Sequence, residues 1–120
     1  MYGIGTDIVA ISRIHHWADD RDLLDYIFTP NEQSVALKKK QRHRHLASAF
    51  AAKEACMKAM GTGWSGGVQW KDIELVDEDG KESIRLYNEA GELWAGKKIF
   101  VSTSGDREFA VAMVVISDDA

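Results

Sequence analysis

Phe50-Ala51-Ala52-Lys53-Glu54-Ala55-Cys56-Met57-Lys58-Ala59-Met60-Gly61-Thr62-Gly63 is the stretch on which the fold turns. Alanine, methionine, lysine and glutamate are strong helix formers, and Gly61 and Gly63 supply the stop, because glycine takes left-handed backbone angles cheaply. At about 100° per residue, Ser48, Ala52, Ala55 and Ala59 fall on one side of this helix. That side is small enough for another backbone to lie close against it. Phe50, Lys53, Glu54, Met57 and Lys58 share the other side. A carboxylate flanked by two ammonium groups can serve a phosphate and a metal ion. The competing reading is an exposed i,i+4 Glu54–Lys58 pair, worth about 0.3–0.5 kcal/mol.

Upstream, Tyr2 to Val9 alternates as a strand. Tyr2, Ile4, Thr6 and Ile8 face one way, and Gly3, Gly5, Asp7 and Val9 the other. Asp7 therefore shares its face with two glycines, which leaves room for a ligand or a second backbone; a turn-capping aspartate at a strand end is the alternative. No third glycine opens a helix after this G-x-G, so it is not a dinucleotide fingerprint. Ser12 is placed to cap a helix from Arg13 that runs toward Phe28, with a break at Asp19-Asp20. His15 and His16 are adjacent, point to different faces and make a poor metal pair. Thr29-Pro30-Asn31-Glu32 carries both marks of a helix start, the T-x-x-E capping box and proline at the first position.

Lys38 to His45, KKKQRHRH, is the concentrated basic run. It reads as a solvated loop leading into the main helix, or as a phosphate-binding patch beside Lys53 and Lys58. No aromatic residue is interleaved for base stacking and the chain is net −4, so a nucleic-acid module is disfavoured. Downstream, Val68 to Val76 and Ser83 to Tyr87 read as strands around the Asp77-Glu78-Asp79-Gly80 turn. Asn88 to Gly96 reads as a short helix, and Ile99 to Ser104 and Glu108 to Ser117 as a second hairpin. The order is a strand, several helices and two antiparallel hairpins. It predicts an α+β fold over residues 1–120, with an antiparallel sheet wrapped around one long helix.

At 120 residues the chain fits one domain with a modest core, and 45% apolar with 28% charged residues is a globular composition. Its one cysteine, Cys56, excludes an intrachain disulfide and suits a reducing, cytoplasmic setting. The N-terminal residues lack a basic and apolar leader pattern, and the longest apolar run, Phe109 to Ile116, is too short to span a bilayer, so no membrane role is expected. Four tryptophans are many for this length, and some are expected to cover an oligomer surface.

Taken together, Gly3-Ile4-Gly5-Thr6-Asp7-Ile8-Val9, Phe50-Ala51-Ala52-Lys53-Glu54-Ala55 with Lys58, and Gly61-Thr62-Gly63 closely resemble the holo-[acyl-carrier-protein] synthases, the small 4′-phosphopantetheinyl transferases. Thr29 to Glu32, Trp70-Lys71-Asp72-Ile73-Glu74 and Asp79-Gly80-Lys81 fit as well, so the resemblance covers essentially the whole chain. It implies a homotrimer with coenzyme A between neighbouring subunits and Mg²⁺ held by Asp7 and Glu54, whose hard carboxylate oxygens suit that ion. It implies that a carrier-protein serine attacks the β-phosphorus of coenzyme A and adenosine 3′,5′-bisphosphate leaves. Lys58 would steady the phosphates and Lys53 would make a second phosphate contact. Glu54, or a water it orients, would be the base. Gly61, Thr62, Gly63 and Ser104 would line the nucleotide site, and Arg13 and Arg21 would meet the acyl carrier protein.

Three features depart from the family pattern. Ala49 stands where many relatives have arginine, and Ser102-Thr103-Ser104-Gly105 stands where many have S-x-S-H. The segment matching the carrier-docking helix holds Asp19, Asp20, Asp22 and Asp25 in place of arginines, which implies a less acidic carrier. The alternative to the transferase is a trimeric relative that binds coenzyme A or a carrier without turnover.

Overall fold

A computed structural model describes residues 2–61 and 67–118. Strand β1 (Gly3–Ala10) runs directly into helix α1 (Ile11–Trp17), followed by α2 (Arg21–Ile27), α3 (Pro30–Leu37) and the long α4 (Arg42–Met60). A single 3₁₀ turn at Trp70–Asp72 leads into β2 (Ile73–Glu78), β3 (Lys81–Leu86), α5 (Asn88–Leu93), β4 (Lys98–Gly105) and β5 (Phe109–Ser117). The strands form two antiparallel sheets, one of three strands in the order β1-β5-β4 and one of two, β2-β3. Helix α4 lies across β1 and β5 and also touches β2, α1 and α3.

The close approach of helix and sheet follows from the small residues on both sides. A Cβ placed on Gly5 would stand 2.8 Å from the Ala59 nitrogen and nearer still to the Ala55 oxygen, and one on Gly3 would overlap the Ala59 oxygen. Ala52, Ala55 and Ala59 on the facing side of α4 are all buried. The strand's glycines thus admit a second backbone, that of α4. Asp7, pairing in register with Ala112 of β5, is carried on this same inward face.

Element ends agree with the sequence where local chemistry fixes them. Gly61 closes α4 with φ of 77°, and its N–H bonds to the carbonyls of Met57 and Lys58. The Thr29 capping box is complete, with Thr29 Oγ1 accepting from Glu32 N at 3.1 Å and Glu32 Oε1 accepting from Thr29 N at 2.9 Å. Asp20 caps α2 by accepting from Leu23 N at 3.1 Å, so the break at Asp19-Asp20 is real. Asp79 and Gly80 both have positive φ, 54° and 87°, as a two-residue turn between β2 and β3 requires.

Three boundaries differ from the expectation. Helix α1 begins at Ile11 with Ala10 as its uncapped N-cap, because β1 enters it without a loop and Ser12 falls inside the first turn. Trp70 to Asp72 coils before β2, with Asp72 Oδ2 accepting from Gln69 N at 2.9 Å, where a continuous strand from Val68 was expected. Arg42 to His45 belong to α4, so half of the basic run is helical.

Candidate active site

Asp7 and Glu54 come from elements far apart in sequence and meet where β1 crosses α4. Asp7 Oδ1 accepts from Lys58 Nζ at 3.0 Å, and the same ammonium donates to the Thr6 carbonyl at 3.1 Å. The Asp7 side chain is only 10% exposed, whereas Lys58 is 57% exposed, so the lysine reaches the aspartate from the solvent side. Asp7 Oδ2 is buried and has no hydrogen-bond partner among the described residues. The Glu54 carboxyl is pushed above its ordinary range, first by burial and then by the charge and hydrogen bonding of Asp7, against the opposing pull of Arg13 and Lys58. Two carboxylates crowding one partly exposed ammonium, with one buried oxygen unpaired, form a donor set that fits a hard divalent cation. Among the described residues no cluster of three or more His, Cys, Asp and Glu side chains forms a metal site. A protein contribution of two carboxylates suits Mg²⁺, which keeps waters and takes substrate phosphate oxygens.

Glu54 and Lys58, the latter bonded to Asp7, line an open cleft of about 570 Å³ together with Arg13, Phe50, Met57, Gly61 and Trp70. One wall is aromatic. The Phe50 ring lies 5.0 Å from Trp70 and 5.0 Å, edge-on, from Trp17. The Arg13 guanidinium sits 5.3 Å from the Phe50 centroid and 5.4 Å from Trp17, which holds it at the rim. The sequence pointed to Phe50 by placing it on the face of Glu54. Trp17 and Trp70 carried no such signal, because the wall forms only when α1 and the 3₁₀ turn close on α4.

The other expected site residues divide. Gly61 lines the cleft, while Thr62 and Gly63 lie outside the described residues. Arg13 is at the cleft. Arg21 is not: its 78% exposed side chain stands 3.9 Å from Asp25 and bonds to Gln33 Oε1 at 3.4 Å. Ser104, paired in register with Val111, is on the outward face of the three-stranded sheet. The basic run does not adjoin Lys58. Lys39 pairs with Asp77 at 3.0 Å, Arg44 donates to the Gly105 carbonyl at 2.5 Å, and Lys40, Arg42, His43, Arg44 and Arg107 line a separate hollow with His15. Arg44 and Lys58 are fourteen residues apart on one helix, about 21 Å at 1.5 Å per residue.

Lys53 is corrected outright as a phosphate contact. It is fully buried, with its ammonium 2.7 Å from Glu32 Oε1 and 3.0 Å from the Trp70 carbonyl, and donating as well to the Ile73 carbonyl. At 100° per residue Lys53 and Lys58 stand about 140° apart on α4, so they flank Glu54 on opposite sides and cannot grip one phosphate together. Burial pushes Lys53 down and Glu32 up, and their mutual attraction works against both shifts.

Residues 3–114 match the model of the 4′-phosphopantetheinyl transferase superfamily, and the chain belongs to that family. A holo-[acyl-carrier-protein] synthase of Geotalea daltonii is 46% identical, with 97% of this chain and 98% of that protein aligned. Among solved structures, the holo-(acyl-carrier-protein) synthase of Bacillus anthracis in complex with CoA is 36% identical, covers 98% of this chain and 97% of its own, and superposes with a TM-score of 0.82. The Helicobacter pylori holo-[acyl-carrier-protein] synthase in complex with coenzyme A is 31% identical over 95% of this chain and 99% of its own, with a TM-score of 0.83.

Proposed function

We propose that the chain is a holo-[acyl-carrier-protein] synthase, which moves the 4′-phosphopantetheine group of coenzyme A onto a serine of an apo acyl carrier protein and releases adenosine 3′,5′-bisphosphate. The observation that carries this reading is the Asp7–Glu54–Lys58 cluster, whose Glu54 and Lys58 line an open cleft, in a chain 46% identical to a protein of that name.

Asp7 and Glu54 would hold Mg²⁺, which when bound neutralises pyrophosphate charge and the charge that grows on the leaving group. The ammonium of Lys58, more than half exposed, can swing from Asp7 to a phosphate oxygen and steady it. The serine oxygen attacks the β-phosphorus, the bridging P–O bond to the nucleotide breaks, and the serine proton passes to Glu54 or to a water that Glu54 orients. Phosphoryl transfer of this kind needs positioning and charge neutralisation more than covalent chemistry. Phe50, Met57 and Trp70 give the pantetheine arm an apolar wall and limit water beside the reacting phosphorus. Arg13, at the rim, is the charged group an approaching carrier would meet.

A homotrimer with shared sites has two supports. The outward face of the three-stranded sheet exposes Ile4, Ile8, Phe100, Phe109, Val111 and Met113, an apolar surface that calls for cover. The basic hollow lies about 21 Å from Lys58 along α4, whereas the 3′-phosphate and pyrophosphate of one coenzyme A are joined by a single ribose. A neighbour's hollow brought to this cleft would complete the nucleotide site. A cytoplasmic setting goes with coenzyme A as substrate and with a single buried thiol.

The test is incubation with coenzyme A, Mg²⁺ and a panel of apo carrier proteins, followed by intact-mass measurement. A phosphopantetheine adduct on at least one carrier, lost with a chelator, is expected. Coenzyme A binding with no adduct on any carrier would identify a non-catalytic relative instead.

A further inference from the structure

Resting on that reading, we propose that Lys53 is a positioning residue: its buried ammonium fixes the rotation of α4 and the place of the Trp70 turn, and thereby sets both the meeting of Glu54 with Asp7 and the gap between the cleft walls. A lysine has three N–H donors, and all three are spent on acceptors from separate segments: Glu32 Oε1 of α3, the Trp70 carbonyl of the 3₁₀ turn and the Ile73 carbonyl at the head of β2. Glu32 is equally committed, since it also caps Thr29 N at 2.9 Å and accepts from Leu75 N at 2.8 Å. The network continues through Thr29 Oγ1 to Glu74 Oε2 at 2.5 Å, and Glu74 Oε1 takes the Tyr87 hydroxyl at 2.8 Å. Through one ion the network ties α4 to α3, the 3₁₀ turn and β2.

Stability alone gives no reason for that ion. A buried pair of this kind is often matched or bettered by apolar residues of the same volume. What apolar residues do not supply is direction: α4 packs on β1 through glycines and alanines, contacts that are close but non-directional. Three hydrogen bonds converging on one nitrogen limit how far α4 can turn before one of them is stretched or bent out of range. Glu54 is the next residue, so the rotation that satisfies Lys53 is the one that turns Glu54 to Asp7. The bond to the Trp70 carbonyl holds that residue's ring against Phe50, 5.0 Å away.

The experiment uses two variants of the full chain. Lys53→Met with Glu32→Gln removes both charges together, so that no uncompensated ion is left in the core. Lys53→Arg keeps the charge and shifts the donors. Each is measured for cooperative melting, for Mn²⁺ affinity by electron paramagnetic resonance without substrate, and for transfer kinetics. Both variants are expected to melt cooperatively, and to bind Mn²⁺ and turn over roughly tenfold or more worse than the parent, as losses of supporting hydrogen bonds at metal sites do. A folded variant with parental Mn²⁺ affinity and kcat would overturn the inference. So would loss of cooperative melting in both, which would make Lys53 a requirement of folding. A parent chain that transfers nothing, with variants still weakened in Mn²⁺ binding, would defeat the proposed reaction and leave this inference standing.

Discussion

Gly5→Ala is the sharpest test of how helix and sheet meet. A Cβ at this position would stand 2.8 Å from the Ala59 nitrogen and closer to the Ala55 oxygen, distances that no rotamer change relieves because both atoms are helix backbone. The helix must therefore move off the strand. Overpacking of a close-packed core costs about 1–3 kcal/mol, and a rigid neighbour puts this case near the upper end, about 3 kcal/mol. For a chain of this size that corresponds to a fall in Tm of roughly 10 °C. Asp7 is two residues on, so the same displacement draws it from Glu54 and turnover falls with stability. Melting by circular dichroism and transfer kinetics read both effects. Adding Ala55→Gly should rescue neither, since the obstruction is the Ala55 backbone oxygen and not its methyl group. A Tm within about 3 °C of the parent, or rescue by Ala55→Gly, would refute the packing argument.

Three further outcomes are expected. Burial pushes the Cys56 thiol up to about 12, so the folded protein should resist alkylation at pH 8 and react only when unfolded; prompt labelling of the native chain would contradict this. His43 and His45 are both held below the ordinary 6.5, chiefly by burial. The unfolded chain therefore binds more protons there, and the stability these residues give is present above 6.5 and lost as pH falls through their lowered values. His43→Gln with His45→Gln should flatten Tm between pH 5 and 7 relative to the parent, and an unchanged slope would count against it. Met113→Arg, on the outward apolar face, should leave a folded monomer in analytical ultracentrifugation with lost transfer, whereas an intact oligomer would remove that face from the interface.

The sequence made the fold legible wherever a local rule decides it. The glycine stop at Gly61, the Thr29 capping box, the small face of α4 and the glycine face of β1 are each fixed by residues within one turn or one strand. Asp7, Glu54 and Lys58 come together in the structure at the solvent edge of that contact. Lys53 was misplaced because its burial depends on Glu32, a partner twenty-one residues upstream, and because a helical wheel shows angle but not which neighbour covers it. The aromatic wall needs α1 and the Trp70 turn to converge, which no spacing within either segment encodes. The basic run read as loop because its charge is conspicuous, yet Arg42 to His45 are held in the first turn of α4, where Arg44 is tethered to Gly105.

Asp7 and Glu54 carry the proposed chemistry. Its most direct measurement is turnover of Asp7→Ala and of Glu54→Ala in saturating Mg²⁺ with coenzyme A and a competent apo carrier, followed by intact mass, with melting recorded on the same samples. Each variant is expected to remain folded and to lose transfer by about a hundredfold or more, as removal of a group that stabilises transition-state charge does. Near-parental transfer in both would contradict the site.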